Sequence, residues 1–223
     1  MRIVAWNTAA RVAPTSQHLI ELAPDVAVLS EWGKLPTLPP ESATTHVEFG
    51  ETNKRGLAVA AWGEWSVRAA DLPEIQGVVI GGVDVDGPVP FRLLAVWCYL
   101  SGSPTLNPVI EALDAWADWT SAAPLVVAGD FNTGGAWHDI RTGPKSHFPI
   151  VDRLDSLGLR SAYHADRGTE QGVDEEPTHW HSHGGTFMID HVFTPKDWPI
   201  NSVAVGERDQ SDHAPVVVDV EPA

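Results

Sequence analysis

Leu125-Val126-Val127-Ala128-Gly129-Asp130-Phe131-Asn132 decides how this chain is read. The first four residues are apolar and bounded by Gly129, as expected of a short strand, Leu125–Ala128, covered on both faces. Such a strand has room for a carboxylate or an amide only at its end, and Asp130 and Asn132 stand there. The same arrangement recurs outward along the chain. Asn7 ends the strand candidate Arg2–Asn7, and Glu31 follows Asp25–Ser30. Asp190 lies within Thr186–Phe193, while Asp212 and His213 come just before Pro215–Val220. Polar residues repeatedly placed at strand ends can converge on one rim of a sheet, where clefts form.

Gly56–Trp62, Val78–Val85 and Phe91–Tyr99 are further strand candidates, and Asp86-Gly87 reads as a turn that Pro88 lengthens into a loop. Helices fill the gaps. Asn107 can cap one, with Pro108 at its first position and Val109, Leu113, Trp116 and Ala117 as its apolar stripe. Ile150, Val151, Leu154 and Leu157 repeat that spacing before Gly158, and a shorter helix is expected after Ser16 through Leu19, Ile20 and Leu22. Strands outnumber helices. The expected fold is therefore α+β (α/β): two packed sheets with helices outside them, in one domain over residues 1–223.

The chain has 223 residues, with 14 Lys plus Arg against 30 Asp plus Glu, a formal charge of −16. Charged residues at 20% and hydrophobic ones at 43% exclude disorder as the main state. The longest uncharged stretch, Leu93 to Ile110, is broken by Pro104, Asn107 and Pro108, so membrane insertion is not expected. The chain opens directly into strand-like sequence, and its one cysteine, Cys98, sits in an apolar run as a small buried hydrophobe. Both features lead to an expectation of a reducing, cytoplasmic setting. No obligate protein partner is evident. Such acidity opposes charge-driven coating of nucleic acid over a Debye length of about 8 Å. It leaves a nuclease open, because a bound divalent cation reverses the field inside an acidic cleft.

Gathering these acids is costly by itself. At about 4 Å and an effective dielectric of about 20, each like-charged pair costs about 4 kcal/mol. The group must spread apart, hold protons or hold a cation, and carboxylate and amide oxygens suit Mg²⁺, Mn²⁺ or Ca²⁺. Taken together, Trp6-Asn7, the Glu31 strand, Gly129-Asp130-Phe131-Asn132, Ile189-Asp190-His191 and Ser211-Asp212-His213 resemble the endonuclease/exonuclease/phosphatase superfamily, block by block and in its order. The resemblance implies a four-layer sandwich of two mainly antiparallel sheets flanked by helices, and hydrolysis of a phosphoester, in the first place a phosphodiester such as DNA or RNA. It makes Glu31 the principal ligand of Mg²⁺ (Mn²⁺ or Ca²⁺ possible), helped by Asn7 and Asp212. Asp130 would position or deprotonate the attacking water, Asn132 would donate to a phosphoryl oxygen, and His213 would contact the phosphate while Asp190 orients it. Tyr99 falls where relatives place a Tyr or His beside the scissile phosphate.

The sequence also departs from the pattern. No Asn follows Tyr99, Met188 stands where relatives often have Arg, and no acid follows Asn7 closely. The Pro-x-Trp-x-Asp-Arg signature of inositol-polyphosphate phosphatases is missing from the Asp190 block. These departures weigh against abasic-site repair and inositide phosphatase activity. A small-molecule or lipid phosphate, and an inactive binding module, are the alternative readings. Trp137, His138 and His147, in the loop after Asn132, and Trp180 are candidates for contacting substrate, with Trp32, Lys54 and Arg55 behind them. His179, His181 and His183 alternate as on one face of a strand, which suits a cleft rim better than a zinc site because no fourth ligand is near.

Overall fold

The computed structural model describes residues 1–10, 12–32, 45–50, 56–76, 78–98, 107–136, 146–208 and 210–223. In chain order, β1 (Arg2–Asn7), α1 (Val12–Leu22), β2 (Val26–Trp32), β3 (Thr45–Phe49), β4 (Gly56–Ala61), β5 (Ser66–Ala69), β6 (Val79–Asp86) and β7 (Phe91–Trp97) lead to the middle of the chain. Next come α2 (Pro108–Ala115), α3 (Ala117–Thr120), β8 (Leu125–Asp130), α4 (Phe148–Ser156), β9 (Leu159–Ser161) and α5 (Ala162–Arg167). The chain closes with β10 (His179–Trp180), β11 (Thr186–Phe187), β12 (Asp190–Pro195), β13 (Ile200–Val205) and β14 (Val216–Val220).

Two six-stranded sheets result, ordered β13-β14-β1-β2-β4-β3 and β5-β6-β7-β8-β12-β9, with β10 and β11 as a separate two-stranded ribbon. Each large sheet is antiparallel except for one central parallel pair, β1 with β2 and β7 with β8. A parallel pair needs a crossover, and α1 provides one while α2 and α3 provide the other. Period-2 alternation then sorts the apolar side chains into layers. Ile3, Ala5, Val26, Val28, Leu57 and Val59 meet Val83, Leu93, Ala95, Val126, Ala128 and Val192 between the sheets. Their strand neighbours Val4, Trp6, Ala27, Leu29, Ala58 and Ala60 pack outward with Leu19 of α1. On the other outer side, Leu94, Val96 and Val127 pack with Val109 and Leu113 of α2 and with Ile150 and Leu154 of α4. The four layers are those expected from the sequence.

Several boundaries differ from the sequence reading. The Thr186–Phe193 strand is two, because the chain leaves the small ribbon at Met188 and Ile189 and joins the second large sheet at Asp190. The first helix starts at Val12 rather than after Ser16. Asn107 holds the N-cap position of α2 without a side-chain cap; its amide donates instead to the Ser146 carbonyl oxygen at 3.3 Å. Gly158 ends α4 as expected, at φ +79, with its N–H on the Asp155 carbonyl oxygen at 3.0 Å. Leu157 is exposed just beyond the helix. Of the three alternating histidines only His179 lies on a strand, and His181 and His183 fall in the turn that follows β10. β3, β5, β9, β13 and α5 were not expected. Most of these lie at sheet edges, where burial does not force an apolar run.

Gly129 sits directly opposite Val96 across the parallel pair, at φ +133. A Cβ at that position would lie 2.1 Å from the Val96 carbonyl oxygen, so no side chain fits without separating β7 from β8. Gly129→Ala should destabilise the protein by about 3 kcal/mol, through strain and clash combined. Urea unfolding tests this, and a change under about 1 kcal/mol would show that the two strands can part freely.

Candidate active site

The carboxyl ends of the two parallel pairs deliver their last residues to one seam between the sheets. Asn7 ends β1 in register with Ser30, and Asp130 ends β8 in register with Trp97. Antiparallel neighbours bring their opposite ends to the same place. Asp190, the first residue of β12, pairs with Asp130, and His213 lies just before β14. Side-chain bonds cross the seam, among them Ser30 Oγ, which donates to the Val96 carbonyl oxygen at 3.3 Å and accepts from Asp130 N–H at 3.4 Å. Asn7 Nδ2 donates to Asp130 Oδ2 at 2.8 Å, and His213 Nδ1 bonds Asp190 Oδ2 at 2.7 Å. All four side chains are buried.

Asp130 accepts two further bonds, from the Asn132 backbone N–H to Oδ1 at 2.8 Å and from Asn132 Nδ2 to Oδ2 at 3.1 Å. Reaching back this way holds Asn132 at φ +49, a conformation that residues with side chains seldom adopt. Burial and then the neighbouring Asp190 charge push the Asp130 pKa up to about 7, against these donors and the positive His213. For His213 burial pulls the other way, but Asp190, with Asp130 and Asp212 behind it, outweighs burial and raises the pKa to about 9. At neutral pH the imidazole is therefore a buried cation paired with a buried anion.

Thr178, which the sequence reading passed over, ties this pair together. Its Oγ1 accepts the backbone N–H groups of Ile189 and Asp190 at 3.0 and 3.1 Å, and its carbonyl oxygen accepts from Ala214 N–H at 2.7 Å. One buried residue thus anchors both the Asp190 and the His213 segments. Ser211 Oγ donates to the Asn7 carbonyl oxygen at 2.7 Å and accepts from His213 N–H at 3.1 Å. His179 packs against His213 with ring centroids 4.4 Å apart and planes tilted by 36°. Burial, then the positive His213, push the His179 pKa down to about 4, so it packs as a neutral ring.

Glu31 occupies a bulge, where Ser30 and Trp32 of β2 pair with consecutive residues of β4 and the register shifts at Glu31 between them. Its φ is +51, and its carbonyl oxygen accepts from Ala10 N–H and from Thr8 Oγ1. Backbone strain of this kind, held by neighbouring bonds, is typical of functional positions. Glu31 is half-buried and stands outside the tight group of Asp130, Asp190 and His213, whose ligand atoms lie within 4.8 Å of one another. Asp212 is also half-buried, and its carbonyl oxygen accepts from Trp180 N–H at 3.0 Å. Trp180 is half-buried at the same edge, with the Arg208 guanidinium 5.5 Å from its ring centroid. His147 lies beneath the Asn132 turn, 1% exposed. Tyr99, Trp137 and His138 lie outside the described residues.

The donor set suits a hard cation. Asp190 Oδ1 is buried without a hydrogen-bond partner among the described residues, and Asn7 Oδ1 accepts only one bond, from Ala9 N–H at 2.9 Å. Asp130, Asp190 and His213 are close enough to share an ion. With His213 protonated, however, its nitrogen has no lone pair to give, and the oxygens are the available ligands. If Asp190 is what charges His213, Asp190→Asn should lower the His213 pKa from about 9 by ~2 units, because burial then goes largely unopposed. An NMR titration of the imidazole reads this directly, and a value unmoved from 9 would remove Asp190 from that role.

Comparison with known proteins agrees with the geometry. The model of the Endonuclease/Exonuclease/phosphatase family matches residues 4–213. Among solved structures, the chain resembles the endonuclease domain of TRAS1, a telomere-specific non-LTR retrotransposon, with a TM-score of 0.71 at 17% identity, over 99% of this chain and 98% of that one. The human Nocturnin catalytic domain with a bound sulfate anion gives a TM-score of 0.70 at 15% identity, over 100% and 94%. An endonuclease/exonuclease/phosphatase from Beutenbergia cavernae gives 0.65 at 21% identity, over 100% and 72%. A search of curated protein sequences finds no match. With the family pattern running from β1 to His213, the chain belongs to the endonuclease/exonuclease/phosphatase family.

Proposed function

We propose that the protein is a divalent-cation-dependent hydrolase that cleaves phosphodiesters of nucleic acid, by attack of water on phosphorus. The observation that carries this reading is a buried carboxylate held by three donors, set beside a buried imidazole charged by a second carboxylate. A carboxyl group whose pKa is raised toward neutrality is a better base for water than a solvated one, and this role falls to Asp130. Protonated His213 offers a positive donor to a phosphoryl oxygen, and Asp190 keeps it charged and oriented. Asn132 spends one amide hydrogen on Asp130 and keeps the other for a second phosphoryl oxygen. Glu31, with Asn7 and Asp212, would hold Mg²⁺ (Mn²⁺ or Ca²⁺ in its place), which neutralises charge developing on the phosphoryl group. Tyr99 joins the proposal on the family resemblance, and Trp137, His138 and Trp180 join it as aromatic residues expected near the acids; His147, also expected there from its place in the loop, is 1% exposed and packs beneath the Asn132 turn instead. Retention of Asp130, Glu31 and His213 speaks against an inactive binding module.

A second reading has its own support. Arg2, Arg68, Arg92, Arg153, Arg167 and Lys196 each pair with a carboxylate of the chain itself. Little free positive charge is left, among the described residues, to track a long phosphate backbone. That favours a small or lipid phosphodiester, or a monoester. A panel of DNA, RNA, nucleotide and lipid phosphates, assayed with Mg²⁺ or Mn²⁺ and again with chelator, separates the two. Turnover that survives chelation overturns both. One buried cysteine and no helix, among the described residues, long and apolar enough to cross a membrane fit the cytoplasmic setting proposed here.

Asp130→Asn should keep cation binding and lower turnover by ~10² or more. Glu31→Gln should instead raise the Mg²⁺ concentration needed, with part of the rate restored at high Mg²⁺; an unchanged Mg²⁺ titration removes Glu31 from the ligands. The pH profile of the wild type should be bell-shaped. Asp130 works deprotonated, so the rate rises through its pKa, about 7 and lower once a cation is bound. His213 works protonated, so the rate falls as pH passes about 9. A rate still climbing at about pH 10 would exclude a protonated His213.

A further inference from the structure

Thr133, the residue after Asn132, is held at its carbonyl oxygen and its hydroxyl by a pair of buried histidines. His191 Nε2–H donates to the Thr133 carbonyl oxygen at 3.0 Å. A carbonyl oxygen only accepts, which fixes the His191 tautomer and leaves its Nδ1 bare. His147 Nδ1 lies 3.1 Å from Thr133 Oγ1. The two rings stack with centroids 4.5 Å apart and planes 28° apart, and Phe131 meets both edge-on, at 5.3 Å from His191 and 6.4 Å from His147.

This pair is an unusual way to fill a core. His191 Nδ1 is buried without a hydrogen-bond partner among the described residues, while the His147 ring is buried beside the Gln171 side chain. Burial pushes both pKa values down, to about 3 for His191 and about 4 for His147, so the rings are neutral. An apolar ring in place of His191 would fill the same space without stranding a nitrogen. What imidazole adds is the two contacts with Thr133. Those contacts act next to a backbone that needs holding, since Asn132 sits at φ +49. The segment from Phe131 to Gly134 runs along the segment from Met188 to His191. Phe131 N–H donates to the Ile189 carbonyl oxygen at 2.9 Å, and Gly134 packs so closely that a Cβ there would lie 2.0 Å from the Met188 carbonyl oxygen. The His191 bond continues this seam one residue beyond Asn132.

We infer that His191, supported by His147, is a positioning residue that fixes the Asn132 turn, and with it the amide that bonds Asp130 and is turned toward the phosphate. The inference rests on the role proposed for Asn132. Neither histidine touches the reacting atoms; each acts through Thr133.

The test uses phosphodiester turnover by the Mg²⁺-loaded protein. His191→Leu keeps the volume and removes the donor, and should lower kcat about 10-fold or more while KM and the Mg²⁺ titration move less than about 2-fold. His191→Gln, whose side-chain N–H can reach the same carbonyl, should recover kcat to within about 3-fold. In an Asn132→Ala background His191→Leu should cost less than about 2-fold, because the path it acts through is already gone. Full kcat in His191→Leu, no recovery in a folded His191→Gln, or an undiminished loss on top of Asn132→Ala would each overturn the inference. If His191→Leu does not fold, Thr133→Val removes only the hydroxyl held by His147. A several-fold loss of kcat, absent in the Asn132→Ala background, supports the inference, and its absence overturns it. Asn132→Ala at full rate is a separate outcome, which overturns the reading of the site itself.

Discussion

The hydrogen bond from Asn7 to Asp130 joins two sheets that otherwise meet mainly through apolar side chains. Everything polar at the seam is arranged around that contact. Asn7 is the last residue of one parallel pair and Asp130 the last of the other, so the bond forms only if both pairs end at the same level. The His213 to Asp190 bond is a further crossing, made from the antiparallel neighbours of those pairs. Both sheets place a central parallel pair between antiparallel flanks, and it is this shared order that brings four strand ends into one seam. The apolar interface sets the spacing of the sheets, and the polar bonds across the seam, those of Ser30 included, fix how they are aligned.

Burying these groups has a cost that decides their protonation. Asp130 and Asp190 cannot both be bare anions so close together without about 4 kcal/mol of repulsion at moderate dielectric. The structure divides the load. Asp190 is neutralised by an imidazolium, and Asp130 is left with three donors and a pKa near 7. Breaking either arrangement leaves an uncompensated buried charge, which is why the surrounding backbone is tied so thoroughly by Thr178 and Ser211. Strain at Glu31 and Asn132 belongs to the same design. Each is a side-chain-bearing residue at positive φ, held there by hydrogen bonds to its neighbours.

The strand ends were legible because buried central strands leave a strong sequence mark. Arg2–Asn7 and Leu125–Ala128 are almost wholly apolar, so the polar residues that close them stand out. Asp130, Asn132, Asp190 and His213 were found in that way and do come together. Thr178 was not legible, since its hydroxyl serves N–H groups 11 and 12 residues away across a chain reversal and nothing near it in sequence announces them. His191 was hidden inside a run read as strand, where its neighbours Val192 and Phe193 make any residue look like packing. β3 could have been read from the alternation Thr45-His46-Val47-Glu48-Phe49, which matches its half-buried and exposed faces. Edge strand β13 carries no such contrast, because one side of it faces no partner strand and its burial is uneven.

Surface and site charge must be weighed separately. A formal charge of −16 repels a polyanion, yet most of it is dispersed over a surface screened within about 8 Å. Inside the seam the balance is different, for His213 brings a positive charge that Asp190 cancels, leaving Asp130 and Asp212 as further acids beside it. A phosphate entering that space would meet net repulsion unless a cation came with it or before it. Cation binding and substrate binding at such a site are therefore coupled by electrostatics, each lowering the charge cost of the other. The raised pKa of Asp130 comes first from burial and then from the Asp190 charge, and a cation bound beside it would pull that pKa down and favour the bare carboxylate.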